Sequence, residues 1–138
     1  MRDARILLES GAVSALHDPT EGGLATGVRE LAATANSGVM IGRTNVPVLP
    51  ETAAIAKVLG LDPLGMLASG SLLAAVPPGR IDAAEQACRD HDLPFAWIGK
   101  IVPLDRGFVL RDGSADSQLP VFTTDEVARA LSTRTAPR

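Results

Sequence analysis

One short run, His17-Asp18-Pro19-Thr20-Glu21-Gly22-Gly23, holds most of the residues in this chain whose types and spacing could do chemistry. Two adjacent glycines ahead of the apolar-periodic stretch that starts at Leu24 weaken a helix start. They also leave backbone N–H groups uncovered, so an anion or another backbone can come close. Asp18 and Glu21 set two carboxylates beside the same spot. A bare phosphate is repelled there, whereas a magnesium-bridged nucleotide is tolerated, because oxygen ligands suit that ion and it offsets their charge. A second account needs no ligand: Asp18 and Thr20 cap the helix, Glu21 sits in its first turn, and the glycines only permit tight packing. Both accounts stand at this point. His17 is a candidate base or ligand, and equally a satisfied residue at a strand end.

A second candidate is Ala68-Ser69-Gly70-Ser71, where small residues would let a ligand, or the 17–23 loop, come close. Asn45-Val46-Pro47-Val48-Leu49-Pro50 reads as a segment that positions the next helix. His91 falls at a helix end, and Trp97, the one tryptophan, reads as a core or interface residue. Cys88 shares a helical face with Ile81 and Ala84, as a buried and inert thiol would. A single cysteine excludes an internal disulfide and any multi-cysteine metal site. There is no serine–histidine–acid set, no P-loop and no metal-ligand spacing, so no complete active site is expected in this chain and no metal site is assigned.

The elements that must position these residues follow from periodicity. Residues 3–10 read as the end of a helix stopped at Ser10-Gly11, and 13–17 as a short strand leading into the Asp-Pro turn. Leu24, Val28, Leu31 and Ala35 share a stripe, with Thr26, Arg29 and Glu30 opposite, which predicts an amphipathic helix over 21–35. An extended segment starts at Val39 and continues, less regularly, to Val48. Pro50 introduces a helix over 51–59 with Ile55 and Leu59 inward and Lys57 outward, and Asp62-Pro63 opens a helical turn within 61–67. Residues 71–76, apolar on both faces, predict a central strand covered on both sides. A helix over 80–91, strands over 95–102 and 107–111, an Asp112-Gly113 turn and a helix over 125–131 complete the order, with 132–138 as a frayed polar tail. The fold class predicted is α+β, a mixed sheet carrying helices.

Composition narrows the function classes. The 138 residues suit one domain with a core that needs no disulfide or metal. With 46% hydrophobic but only 3% aromatic residues, that core must be aliphatic and alanine-rich. Few aromatics and a net charge of −3 argue against a nucleic-acid surface. No segment approaches membrane-spanning length and no signal peptide is evident, so a cytoplasmic chain with no membrane or nucleic-acid partner is expected.

Asp18-Pro19-Thr20-Glu21-Gly22-Gly23-Leu24-Ala25-Thr26 resembles the signature of the C-terminal domain of the aminoimidazole ribonucleotide (AIR) synthase-related superfamily. Val46-Pro47-Val48, Leu59-Gly60-Leu61-Asp62-Pro63-Leu64, Ser69-Gly70-Ser71-Leu72-Leu73-Ala74-Ala75-Val76-Pro77 and Ile98-Gly99-Lys100-Ile101 follow in the order of that family. The resemblance covers roughly residues 3–131 and is nearest the hydrogenase-maturation (carbamoyl dehydratase) branch. It implies a domain that follows a separate N-terminal domain, whose pairing makes a dimer and which supplies most ligands for ATP and Mg2+. The nucleotide and an acceptor would lie in the cleft between the two domains, faced here by Asp18, Thr20, Glu21, Gly22, Gly23, Ser69 and Gly70. His17 and Asp18 are the catalytic candidates.

Three departures qualify the resemblance. Only 14 residues precede Ala15, so the N-terminal ATP-binding domain is expected to be absent from this chain. Glu21 stands where the branch carries arginine. The branch ends in a cysteine that carries a thiocarboxamide, whereas this chain ends Thr135-Ala136-Pro137-Arg138, and Cys88 lies mid-helix. The expected function is the C-terminal half of an ATP-dependent enzyme, inactive alone, partnered by an N-terminal ATP-binding domain or split subunit and homo-oligomeric. The alternative is a free-standing, non-catalytic ligand- or partner-binding module.

Overall fold

The computed structural model describes residues 2–134. Its elements run α1 (Arg2–Glu9), β1 (Ala15–His17), α2 (Gly23–Thr34), β2 (Gly38–Gly42), α3 (Pro50–Leu59), β3 (Leu73–Ala75), α4 (Ile81–Asp90), β4 (Gly99–Val102), β5 (Phe108–Asp112), β6 (Ala115–Gln118) and α5 (Glu126–Arg134). Four strands form a mixed sheet in the order β4-β2-β5-β6, with β2 and β5 parallel and the outer pairs antiparallel. The predicted α+β class, a mixed sheet with helices, is what the chain forms.

The core lies between α2 and this sheet. Ala25, Val28 and Ala32 of α2 pack with Val39 and Ile41 of β2 and Leu110 of β5, closed by Leu64, Leu73 and Leu119. Strand alternation sends Val39 and Ile41 to the helix side and Met40 to the other. The helix can lie this close because its contact residues are small; a Cβ at Gly27 would stand 2.6 Å from the Cβ of Pro19. Arg29 ties the far end of the sheet to α2. Its guanidinium lies 4.6 Å from the Phe108 ring centroid and donates through Nη2 to the Leu119 carbonyl, while Nε is buried without a partner. Burial lowers the pKa of this arginine, since no carboxylate compensates its charge there.

Several expectations need correction. Residues 71–76 do not supply the central strand: β3 pairs only with β1, in a separate two-stranded antiparallel ribbon. α2 covers the ribbon's apolar side chains instead, and the central strand is β2, whose Gly38 to Ile41 are all buried. α3 forms where predicted, but Ile55 and Leu59 are 53% and 42% exposed, and Ala56, at 2%, is the inward residue. A methyl side chain lets the helix approach the 61–65 turn at that one point. After Gly42 the chain enters a 3-10 turn, Arg43–Asn45, rather than continuing extended to Val48. β6 was not expected, and it is held by the hairpin register and by Asp116, which accepts from Arg111 Nε and Nη2 at 2.7 and 2.8 Å. The 95–102 strand is shorter, starting at Gly99. α5 continues to Arg134, so 132–134 are helical where a frayed tail was expected; the rest of that tail lies outside the described residues.

α5 is clipped to the turn after α3. The Glu126 carboxylate is 6% exposed, accepts from the Asp62 N–H at 2.9 Å, and receives Arg129 Nε and Nη2 at 2.7 and 2.8 Å. Arg129 also donates to the Gly60 carbonyl at 3.2 Å. Asp62 in turn accepts Arg43 through both oxygens at 3.1 Å and caps the Leu64 N–H at 3.0 Å. Arg129 first, and the Asp62 amide after it, hold the Glu126 carboxyl below its ordinary range despite burial.

Two outcomes are expected. Gly23 has φ +66 and a Cβ there would lie 2.5 Å from the Met66 carbonyl oxygen, whereas Gly60, at φ +64, faces open space. Gly23→Ala should therefore cost about 3 kcal/mol or more and Gly60→Ala about 1 kcal/mol in urea unfolding. For Glu126 the folded-state pKa is depressed, so its stabilisation is present above the unfolded carboxylate range and lost as pH falls through the folded value. Glu126→Gln should lose about 1–2 kcal/mol at neutral pH, with a melting temperature that changes less on acidification than that of the wild type.

Candidate functional site

The two glycines of the candidate loop are left-handed, Gly22 at φ +76 and Gly23 at φ +66, and both are buried. Gly22 is the N-cap residue of α2. Its N–H donates to Asp125 Oδ2 at 3.2 Å, and the Gly23 N–H donates to the Thr20 carbonyl at 3.2 Å. The expectation of uncovered amides is thereby corrected: both are satisfied within the chain. The anion at the start of α2 is the chain's own Asp125, whose other oxygen accepts from the Val127 N–H at 2.8 Å and caps α5. The capping account is corrected as well. Neither Asp18 nor Thr20 caps α2 through its side chain; both are exposed, and the backbone carbonyl of Thr20 does the accepting.

The structure brings the second candidate segment to the first. The Ala68 N–H donates to the same Thr20 carbonyl at 3.3 Å, which sets Ser69 and Gly70, both exposed, next to the 18–23 loop. His17 is turned elsewhere. Its Nε2 lies 2.8 Å from Glu30 Oε2 on α2, and it does not line the cleft described next. Asn45 to Pro50 lead into α3, as expected of a positioning segment. His91 is the C-cap residue of α4, and Cys88 is buried, with its thiol pushed up by desolvation.

A cleft of about 500 Å³ opens between the first turn of α2, Leu67 and residues 122–131. Glu21, Thr26, Thr123, Thr124 and Asp125 contribute oxygen, Leu67, Phe122, Val127, Ala128 and Leu131 carbon, and Gly22 forms part of its wall. Among the described residues no lysine or arginine lines it. Such a surface can hold a magnesium ion or sugar hydroxyls through oxygen, but it offers no cation to a polyphosphate. Of the expected residues, Glu21 and Gly22 border the cleft, and Asp18, Thr20, Ser69 and Gly70 belong to the loops beside it. Gly23 serves packing against the 64–66 backbone. Thr26, Thr123, Thr124 and Asp125 were not foreseen as site residues. The 124–126 segment signals a helix cap in the sequence, and nothing there signals a bond between Asp125 and a residue 103 positions away.

With this geometry in view, similarity to known proteins can be placed on it. The domain described as AIR synthase related protein, C-terminal domain, matches residues 1–112. The chain is 40% identical over 96 residues to the carbamoyl dehydratase HypE of Rhizobium leguminosarum bv. viciae, covering 68% of this chain and 27% of that protein. The crystal structure of E. coli HypE, a hydrogenase maturation protein, superposes with a TM-score of 0.81 at 28% identity, over 94% of this chain and 42% of that one. HypE in complex with ATP superposes with a TM-score of 0.77 at 29% identity, over 90% of this chain and 40% of that one. The chain thus spans somewhat under a third of the length of the curated relatives it matches and about two fifths of those two crystallised chains. Loop 18–23, the 61–71 segment and most of the sheet all fall within the matched residues, and the chain belongs to the AIR synthase related family as a C-terminal domain of it.

Proposed function

We propose that this chain is the C-terminal half of an ATP-dependent enzyme of the hydrogenase-maturation type, completing its nucleotide and acceptor cleft. The observation that carries this reading is the cleft at the start of α2, where Glu21 and three threonines stand beside apolar side chains with no cation among the described residues, in a fold shared with an ATP-bound relative. The donor set fits the magnesium side of the nucleotide. Glu21, which lines the cleft, would hold Mg2+ there, with Asp18 and the Thr20 and Ser69 hydroxyls in the adjoining loops, while Gly22, Gly23 and Gly70 give the two loops their shape. Bound ATP would supply the phosphoryl group that activates an acceptor oxygen. Asp18, in the loop beside the cleft, is the remaining candidate acid or base of this chain, since His17 is held by Glu30 and does not line the cleft.

Phosphate-binding cations would then come from outside the described residues, as from an N-terminal ATP-binding domain or a split subunit that carries it. Two surfaces suit such a partner. The outer side of α3 exposes Leu49, Ile55 and Leu59, with Val58 at 83% exposure, and both edges of the β1–β3 ribbon are free of strand pairing. Homo-oligomerisation and a cytoplasmic location go with the same reading. The Asp125–Gly22 bond favours the alternative, a non-catalytic module, because an internal carboxylate already fills the amide that a ligand could use.

Calorimetric titration of Mg–ATP separates the two. The chain mixed with a separately expressed N-terminal domain of a HypE relative should bind, and Glu21→Ala should weaken that binding at least tenfold with an unchanged melting temperature. Equal affinity in the variant would remove this loop from the nucleotide site. The apolar side of α3 carries a separate expectation: alone and concentrated, the chain should self-associate in light scattering, and Val58→Glu should reverse it. A monodisperse wild-type monomer would count against a vacated interface.

A further inference from the structure

The face of the four-stranded sheet turned away from α2 has a cleft of its own, of about 240 Å³. Register places its parts. Met40 pairs with Lys100 on β4, and Gly42 pairs with Arg111 on β5, so these side chains emerge on the side opposite Val39, Ile41 and the core. Met40 is buried and forms an apolar floor. Trp97 supplies one wall, and Asn45 lies over Gly42, where an added Cβ would come within 3.0 Å of its carboxamide.

The Trp97 ring is fixed before any ligand arrives. Its Nε1–H donates to Glu85 Oε1 at 2.8 Å, and Phe95 meets it edge to face at 6.3 Å between centroids. Glu85 is itself committed, accepting Arg89 at 3.1 Å, and both donors hold its carboxyl in the charged form. Arg111 is pinned by Asp116 through Nε and Nη2, which leaves Nη1 to donate. Lys100 has no carboxylate partner among the described residues, and the Asn45 carboxamide makes no hydrogen bond there. On a chain of net charge −3, this cleft is lined by two cations and, among the described residues, no carboxylate, and the ion pair of Arg111 with Asp116 offsets one of them. One positive charge, spare N–H donors, an apolar floor and a rigid ring are left.

We propose that this cleft binds a small monoanion carrying a planar ring, its carboxylate on Lys100, Arg111 and Asn45 and its ring against Trp97. The volume admits one ring and a carboxylate; it is smaller than the roughly 300 Å³ at which sites for larger ligands begin. The ring wall selects planarity by stacking, and the unpaired ammonium selects a single negative charge. This site is on the opposite side of the sheet from the α2 cleft and does not depend on the function proposed for that cleft.

Trp97 is the only tryptophan in the sequence, so its emission, and the single indole N–H resonance, report from the cleft itself. Titration of the 138-residue chain with nicotinate should change both saturably, with acetate and nicotinamide at least tenfold weaker. Lys100→Gln, on an exposed edge strand, should weaken nicotinate at least fivefold, and added salt should weaken it in the wild type. No saturable response to nicotinate overturns the proposal. Acetate binding as tightly as nicotinate would mark an adventitious ion only, and nicotinamide binding as tightly would mark an apolar contact without charge recognition; either result overturns it too.

Discussion

Helix α2 can begin where it does only because Gly23 has no side chain. The carbonyl oxygens of Leu64 and Met66 lie 2.6 and 2.5 Å from where a Cβ would stand. That contact sets the helix against the 61–68 segment, and the same helix presents Ala25, Val28 and Ala32 to β2. Small residues continue the close approach at Gly27, which meets Pro19 and Leu73. The relative placement of loop, helix and sheet thus follows from a few positions where bulk is forbidden. A larger residue at Gly23 would have to move the 64–66 backbone, and with it the base to which α5 is attached.

The C-terminal helix shows how such a base is used. Its first residues reach two earlier segments through carboxylates, Asp125 to the Gly22 amide and Glu126 to the Asp62 amide. Arg43 and Arg129 balance the charge on the Asp62 and Glu126 side. Asp125 has no such cation among the described residues, and its hydrogen bonds there come from backbone N–H groups. A ligand that sought the Gly22 amide would compete with a tethered carboxylate present at high effective concentration. The lip of the α2 cleft is therefore set by residues more than a hundred positions apart in the chain.

What the sequence disclosed, and what it hid, has a consistent physical cause. α2 was legible because Leu24, Val28 and Leu31 repeat at helical spacing on a helix with one buried side. The Asp62 cap was legible because capping is local. Residues 71–76 misled because an apolar run looks the same whether sheet neighbours or a helix cover it, and here α2 does. In α3 the large side chains Ile55 and Leu59 suggested an inward face, but the contact is made by Ala56. β6, Ala-Asp-Ser-Gln, is exposed throughout and has no large apolar residue to show an alternation, so only its pairing with β5 defines it. Within the candidate site, the loops at 18–23 and 69–70 could be named in advance. The part contributed by 122–131 depends on long-range bonds that local spacing does not encode.

Cys88 faces inward from α4 and its thiol is held protonated by loss of solvent. A sulfur in that state is a poor nucleophile and cannot be reached without loosening the helix. An electrophile arriving at the surface of this domain would find no exposed thiol among the described residues.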